Sequence, residues 1–177
     1  MGRVAVEGVT EVSGVGRQAF ARLLAERGYT IGVEVGVERG VHAKMLCQRI
    51  PGLTLYCIDP WRFEPGYRDH VPQERLDSFY EETRRRLDQF SVYVWRETSA
   101  DAASFFSPYD RLDFVYLDGD HRPEAVRADI AAWLPKIALG GVLCGHDYDE
   151  VADAIDLRPL TVYGDGKART WLYEVGP

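Results

Sequence analysis

The stretch Val33-Glu34-Val35-Gly36-Val37-Glu38-Arg39-Gly40 decides how this chain folds. Ile31 to Gly36 is rich in β-branched residues and ends on a glycine, and Gly40 then opens a helical stretch that runs to about Ile50. Strand, glycine turn and helix in that order are the opening of a βα unit. Gly36 and Gly40 lack Cβ, so the backbone can bend tightly and lie against a ligand. The helix that follows presents free N–H groups and the positive end of its dipole. A dinucleotide-binding turn reads G-x-G-x-x-G, with a middle glycine that admits a pyrophosphate. Here the middle position is Glu38, whose bulk and charge oppose one. The turn therefore suits a ligand without phosphates and with an amino-acid tail. The alternative is a glycine turn that only packs helix on strand.

Outward from this stretch the alternation continues. On its N-terminal side, residues 16 to 27 carry helix formers and Gly28 supplies a stop. On its C-terminal side, apolar strands are predicted at Leu53 to Ile58, Ser91 to Trp95, Leu112 to Leu117 and Val142 to Gly145. Helices are predicted between them: one carries Leu76, Phe79, Tyr80, Thr83 and Leu87 on a stripe, a short one is capped by Ser99, and one starts at Pro123 with Val126, Ile130, Trp133 and Leu134 on a face. After a short helix near Asp149 to Ile155, the segments Leu160 to Tyr163 and Thr170 to Val175 flank a loop with Gly164-Asp165-Gly166, which predicts an antiparallel hairpin. The expected fold is α/β, Rossmann-like and doubly wound. Its mostly parallel seven-stranded sheet ends in that C-terminal hairpin. A single domain over residues 1–177 is expected, with an N-terminal helix within 1–30 and, across 60–90, a helix preceded by an aromatic segment from Trp61 to Tyr67, with His70, that can act as a lid or as a surface loop.

Composition bounds the partners. The 177 residues carry a formal charge of −7, with 46 % apolar and 28 % charged residues. An acidic balance argues against a broad nucleic-acid surface. Arg84-Arg85-Arg86 follows Glu81-Glu82 at helical spacing and reads as a self-paired helix face. No apolar run approaches the roughly 20 residues of a membrane helix, and the N-terminal residues lack the apolar stretch of a signal peptide. A cytoplasmic location is the expectation. The three cysteines, Cys47, Cys57 and Cys144, form no CxxC pair and read as free thiols.

In an open α/β sheet, ligands bind at the carboxyl ends of the strands. Those ends here are Gly36, Asp59, the run Glu97-Thr98-Ser99, Asp118-Gly119-Asp120-His121 and His146-Asp147. Glycine and acidic groups gather on one edge. Asp59, roughly 20 residues past the glycine turn, is placed to accept the hydroxyl protons of a ribose; as a turn residue before Pro60 it would need no ligand. Together with the glycine turn it favours a nucleoside.

With these residues in view, the chain resembles the class I S-adenosylmethionine-dependent methyltransferases. The resemblance is to the branch called methyltransferase family 24, related to catechol and macrolide-sugar O-methyltransferases. It rests on Val33 to Gly40, on Cys57-Ile58-Asp59-Pro60-Trp61, on Asp113 to His121, and on Gly140 to Tyr148. The resemblance implies that Gly36, Val37 and Gly40 line the methionine part of the cofactor with Glu34 near its amino group. It implies that Asp59 binds the ribose, Trp61 flanks the adenine, and Ser99 and Ala100 sit by that ring. Asp118 would lie beside the sulfonium and the acceptor. In metal-dependent relatives, groups at positions like Asp118, His146 and Asp147 hold magnesium. His146 departs from the usual carboxylate, and imidazole is a poor magnesium ligand. Manganese or another softer ion, a His146 that points elsewhere, and no metal at all therefore stay open. His121 lies three positions after Asp118, where catechol-type relatives place a catalytic lysine. A neutral imidazole there could take the acceptor's proton, or it could merely cap the helix at Pro123 or bond Asp147.

The reaction this implies is methyl transfer to an oxygen of a small-molecule acceptor, with a nitrogen acceptor open. Two rivals stand. One is an NAD-dependent oxidoreductase of Rossmann type, which shares the acidic residue at 59. The other is a methyltransferase-like protein that binds the cofactor without turnover. The acceptor and the oligomeric state, including a homo-oligomer, are not legible.

Overall fold

The computed structural model describes residues 7–64, 71–107, 110–165 and 168–176. Eight strands form one sheet: β1 (Val9–Val12), β2 (Ile31–Val35), β3 (Thr54–Ile58), β4 (Val92–Trp95), β5 (Leu112–Leu117), β6 (Ile137–Gly145), β7 (Leu160–Tyr163) and β8 (Thr170–Glu174). The helices are α1 (Arg17–Glu26), α2 (Val41–Arg49), α3 (Gln73–Leu87), α4 (Ser99–Ser104), α5 (Pro123–Trp133) and the single turn α6 (Tyr148–Val151). The spatial order is β1-β7-β8-β6-β5-β2-β3-β4. All neighbouring pairs are parallel except those made by β8, which runs antiparallel to β6 and β7. The Rossmann-like α/β architecture and the C-terminal antiparallel hairpin are as the sequence predicts.

The strand count differs by one. The segment Val9-Thr10-Glu11-Val12 pairs with β7 from Val9 opposite Leu160 to Val12 opposite Tyr163. Its two central residues are exposed, so it carries no buried face that would mark it as a strand. Tertiary pairing recruits it. Arg169, itself buried, ties Glu11 of this edge at 2.7 Å to Asp149 of α6 at 2.6 Å. β6 is also longer than expected: it begins at Ile137 and runs through Gly140-Gly141, where the sequence suggested a turn, with a register irregularity against β5 between Leu112 and Phe114.

Strands buried on both faces read as continuous apolar runs, and the period of two divides them between two cores. Phe114 and Tyr116 of β5 pack with Phe20, Leu24, Leu46 and Leu55 under α1 and α2. Val115 and Leu117 face the other way, with Val33, Ile58, Trp133 and Trp171 under α4 and α5. The chain leaves β2 toward β3 and β4, then crosses back to place β5 on the other side of β2. That reversal opens a crevice between the carboxyl ends of β2 and β5, the position where doubly wound sheets hold ligands.

One local expectation is refined and two hold. The cap of α4 is Thr98, whose hydroxyl accepts from the Asp101 N–H at 3.2 Å, and Ser99 is the first helical residue. Cys57 and Cys144 are buried and Cys47 is half-buried, all as free thiols. Arg84 pairs with Glu81 at 3.7 Å and Arg86 with Glu82 at 2.7 Å, a self-paired face. Among the described residues, no helix is long and apolar enough to cross a membrane.

Candidate functional site

Gly36 ends β2 at the crevice with φ of +86°, and its ideal Cβ would lie 2.2 Å from the Asp118 carbonyl oxygen. Both the left-handed backbone and the adjoining β5 chain therefore require glycine. Gly40 is left-handed too, and Thr83 of α3 lies 3.1 Å from its ideal Cβ. The glycine turn thus serves packing as well as the pocket. Glu38, between the two glycines, is left-handed as well (φ 51°).

A cavity of about 260 Å³ occupies the crevice. Of the residues named as cofactor-binding, Gly36, Asp59, Trp61, Ser99, Ala100 and Asp118 form part of its wall. Glu34, Val37 and Gly40 do not; they lie in and beneath the turn. Glu34 is 1 % exposed and its Oε1 lies 3.1 Å from Nδ1 of the equally enclosed His42. Glu34 Oε2 and His42 Nε2 have no hydrogen-bond partner among the described residues. Unpartnered buried polar atoms of this kind are costly. Asp59 accepts from the Glu38 N–H at 2.9 Å and the Trp61 N–H at 2.8 Å, so its carboxylate ties the two loops at the mouth as well as facing the cavity. Trp61 is 1 % exposed, donates from Nε1 to the Glu38 carbonyl at 2.7 Å, and packs on Tyr80. It is a wall locked into the core. The aromatic segment, read from sequence as a lid or a surface loop, enters the cavity wall at Trp61, Arg62, Phe63 and Glu64; Tyr67 and His70 lie outside the described residues.

Next to the cavity, the tips of β5 and β6 bring four titratable side chains together. His121 Nε2 is 3.6 Å from Asp147 Oδ2 and 3.9 Å from Asp118 Oδ1, and its Nδ1 is 3.2 Å from Glu150 Oε2. Ligand atoms of Asp118, His121 and Asp147 all lie within 4.8 Å of one another. Asp147 adopts φ of +47°, a left-handed conformation that Asp tolerates better than most residues. This turns its carboxylate back toward the cluster. Burial pushes the Asp118 carboxyl up to about 7, against the opposing pull of Arg17.

His146 borders the same two carboxylates, with its Nδ1 3.8 Å from Asp118 Oδ1. It is 6 % exposed, its Nδ1 lies 3.0 Å from Asp147 Oδ1, and Arg17 Nε donates to its Nε2 at 3.0 Å. Arg17 Nη2 also lies 2.9 Å from Nδ1, so that nitrogen faces both a guanidinium donor and the Asp147 carboxylate. Burial and then the Arg17 charge hold its pKa below the usual imidazole value.

Two residues that sequence reasoning did not single out enter the site. Arg17, from the first turn of α1, reaches Asp118 and His146 across more than a hundred positions of chain. No local signal could announce it. Asp129 of α5 lines the cavity with Ala125 and Ala128. These three share one helical stripe beside the core face, and an acid on a stripe of alanines there was a readable signal.

A Rossmann-like sheet, a crevice at the β2/β5 switch point, the glycine turn after β2 and acidic groups at the tips of β3 and β5 define a class I methyltransferase-type domain. The sequence comparison agrees: a family model described as a methyltransferase domain, methyltransferase family 24, matches residues 33–148. The chain belongs to that family. Among solved structures, it is similar to an O-methyltransferase from Bacillus cereus in complex with SAH (TM-score 0.64, 13 % identity, covering 91 % of this chain and 80 % of that one). It is also similar to the O-methyltransferase TomG from Streptomyces achromogenes, involved in tomaymycin synthesis, in complex with SAM (0.64, 16 %, 91 % and 79 %). A third is cofactor-bound Rv0187 from MTB (0.66, 16 %, 93 % and 81 %). At these identities the likeness is one of fold.

Proposed function

We propose that this chain is an S-adenosylmethionine-dependent methyltransferase that modifies a hydroxyl of a small molecule in the cytoplasm. The observation that carries the reading is the double membership of Asp118, which belongs both to the cavity wall at the switch point and to the cluster with His121 and Asp147. The membership of the family and the SAM and SAH complexes of similar folds support the cofactor; the acceptor class is argued from the chemistry of the cluster.

When bound, S-adenosylmethionine supplies an electrophilic methyl group on a cationic sulfur. What remains for the protein is alignment and proton removal. Asp59, Asp118 and Asp129 make the cavity wall acidic, which favours a cationic ligand. Val35, Ile58, Ala100 and Ala128 supply apolar wall that excludes water. His121, half-exposed and beside Asp118 of the cavity wall, takes the acceptor proton at Nε2. Asp147 and Glu150 beside its ring stabilise the imidazolium that forms.

A second reading uses the same groups differently. Two carboxylates and an imidazole within 4.8 Å fit a divalent ion, and the nitrogen ligand favours manganese over magnesium. Asp118, His121 and Asp147 would hold it, and it would supply Lewis acidity toward the acceptor oxygen. His146, which the resemblance puts among the ligands, would act here by orienting Asp147.

Calorimetry with S-adenosylhomocysteine and NAD side by side tests the cofactor: binding of the first and not the second is expected, and the reverse sinks the reading in favour of an oxidoreductase. Methyl transfer to a panel of phenols, sugars and amines, with and without chelator, then tests turnover. Cofactor binding without transfer to any hydroxyl would leave a non-catalytic binder or an amine acceptor as the better account.

A further inference from the structure

We propose that the ion pair of Glu64 with Arg122 is a strap across the mouth of the cavity, one that has to part each time the cofactor enters or leaves. The proposal rests on the S-adenosylmethionine reading and adds to it how exchange at that site is controlled.

The segment after β3 and the loop between β5 and α5 both contribute to the cavity wall, the first through Trp61 to Glu64 and the second through Asp118, Gly119 and Asp120. Arg122 Nη2 donates to Glu64 Oε1 at 3.0 Å and so joins the two across 58 positions of chain. Asp120 aims the guanidinium. It accepts from Arg122 Nε at 2.7 Å and from the Arg122 backbone N–H at 2.9 Å. With backbone and side chain both held by one carboxylate, Arg122 presents Nη2 to Glu64 in a fixed direction. The pairs on α3 differ: Arg84 with Glu81 and Arg86 with Glu82 lie within one helix and tie no two elements together.

The two ends of the stretch 61–64 are held unequally. Trp61 is buried in the core, and Gln73 of α3 clamps the backbone beside it. Gln73 Nε2 donates to the Trp61 carbonyl at 2.9 Å, and Gln73 Oε1 accepts the Phe63 N–H at 2.8 Å. Glu64 lies beyond that clamp, and its side chain is 52 % exposed against 41 % for Arg122. An ion pair this open to water is weak and is screened by salt. A strap of that strength is closed most of the time, yet it parts without disturbing the clamp behind it. Only the outer end of the wall has to move.

Stopped-flow exchange of S-adenosylhomocysteine tests the strap, followed by tryptophan fluorescence with Trp61 of the cavity wall as a reporter. Glu64→Gln keeps the size of the side chain and removes its charge. Association and dissociation should both speed up about three- to fivefold, the range an exposed ion pair can supply, so that Kd changes by about twofold or less. A residue that only touched the ligand would change dissociation alone. Arg122→Gln should act in the same way, and the double variant should exceed neither single one. S-adenosylhomocysteine carries no net charge. Raising salt from about 0.05 to 0.5 M should therefore bring wild type toward the rates of Glu64→Gln and leave the variant unmoved. Unchanged association in Glu64→Gln, or effects that multiply in the double variant, overturn the proposal. If the ligand does not bind at all, the cofactor reading fails as a separate result, and hydrogen exchange in the ligand-free protein decides on the strap. Amides of residues 61–64 should then exchange about three- to fivefold faster in Glu64→Gln, and equal rates overturn it.

Discussion

Arg17 Nη2 lies 3.4 Å from Asp118 Oδ2, joining the first turn of α1 to the tip of β5. The same guanidinium contacts His146, so one cation faces two of the groups at the tips of β5 and β6. It opposes the effect of burial on Asp118 and adds to the depression of His146. A divalent ion held by Asp118, His121 and Asp147 would sit within a few ångströms of this charge. Arg17→Met should therefore tighten manganese binding about five- to tenfold, the part of a close like-charge repulsion left after solvent screening. Titration followed by the electron paramagnetic resonance of free manganese measures it. Unchanged or weaker binding would show that Arg17 does not compete with an ion.

His121→Ala separates the two chemical readings. If His121 is the base, turnover should fall on the order of a hundredfold or more, with manganese binding unaffected and activity insensitive to chelator. If it is a ligand, manganese affinity should fall together with turnover. Steady-state kinetics and the resonance titration on one preparation distinguish the outcomes.

Asp118→Asn keeps the size of the side chain and removes its charge. Because Asp118 belongs to both cavity and cluster, turnover should drop at least a hundredfold while the far-ultraviolet circular dichroism stays as in wild type. Retention of more than a tenth of the activity would place the chemistry elsewhere.

Asp129 carries a pH dependence of stability. Its carboxyl is raised from 3.8 to about 6 in the folded chain. Between those values the folded state binds more protons than the unfolded state, so stability falls as pH rises. This contribution is fully present below pH 3.8 and is lost above about 6. Asp129→Asn should be more stable than wild type at pH 7.5 by about 1–2 kcal/mol, a partial realisation of the shift because the group retains some solvent contact. The gain should vanish near pH 4. Urea unfolding of the ligand-free protein at the two pH values checks the sign.

Gly36→Ala should cost about 3 kcal/mol or more, combining an unfavourable left-handed φ with a Cβ placed against the Asp118 carbonyl. Gly14→Ala is the control. It shares the positive φ but meets nothing within 4 Å, so about 1 kcal/mol is expected. Equal losses in urea denaturation would mean that contact with β5 contributes nothing.

What could be read in advance follows from how far each feature reaches along the chain. Strands β2 to β8 announce themselves through apolar runs bounded by turns, and Asp59, Asp118 and Asp147 through their place at strand ends. β1 does not, because an edge strand with an exposed centre has no periodicity to show. The ion pairs of Arg169 with Glu11 and Asp149 that help hold it join residues far apart in sequence. The two glycines were legible as a turn. That Gly36 is demanded by the backbone of β5 appears only once β2 and β5 are neighbours.

By itself the sequence determined the α/β alternation, the C-terminal hairpin, the acidic character of the strand tips and the family. Period, turn chemistry and motif spacing are local properties of the chain. Only the tertiary structure decided that the crevice lies between β2 and β5, that His121 and His146 both come up against Asp118 and Asp147, and that Arg17 and Asp129 face the site. Those outcomes depend on which strands pair and how helices settle on them. That is set by burying one shared core, and no short window of residues contains it.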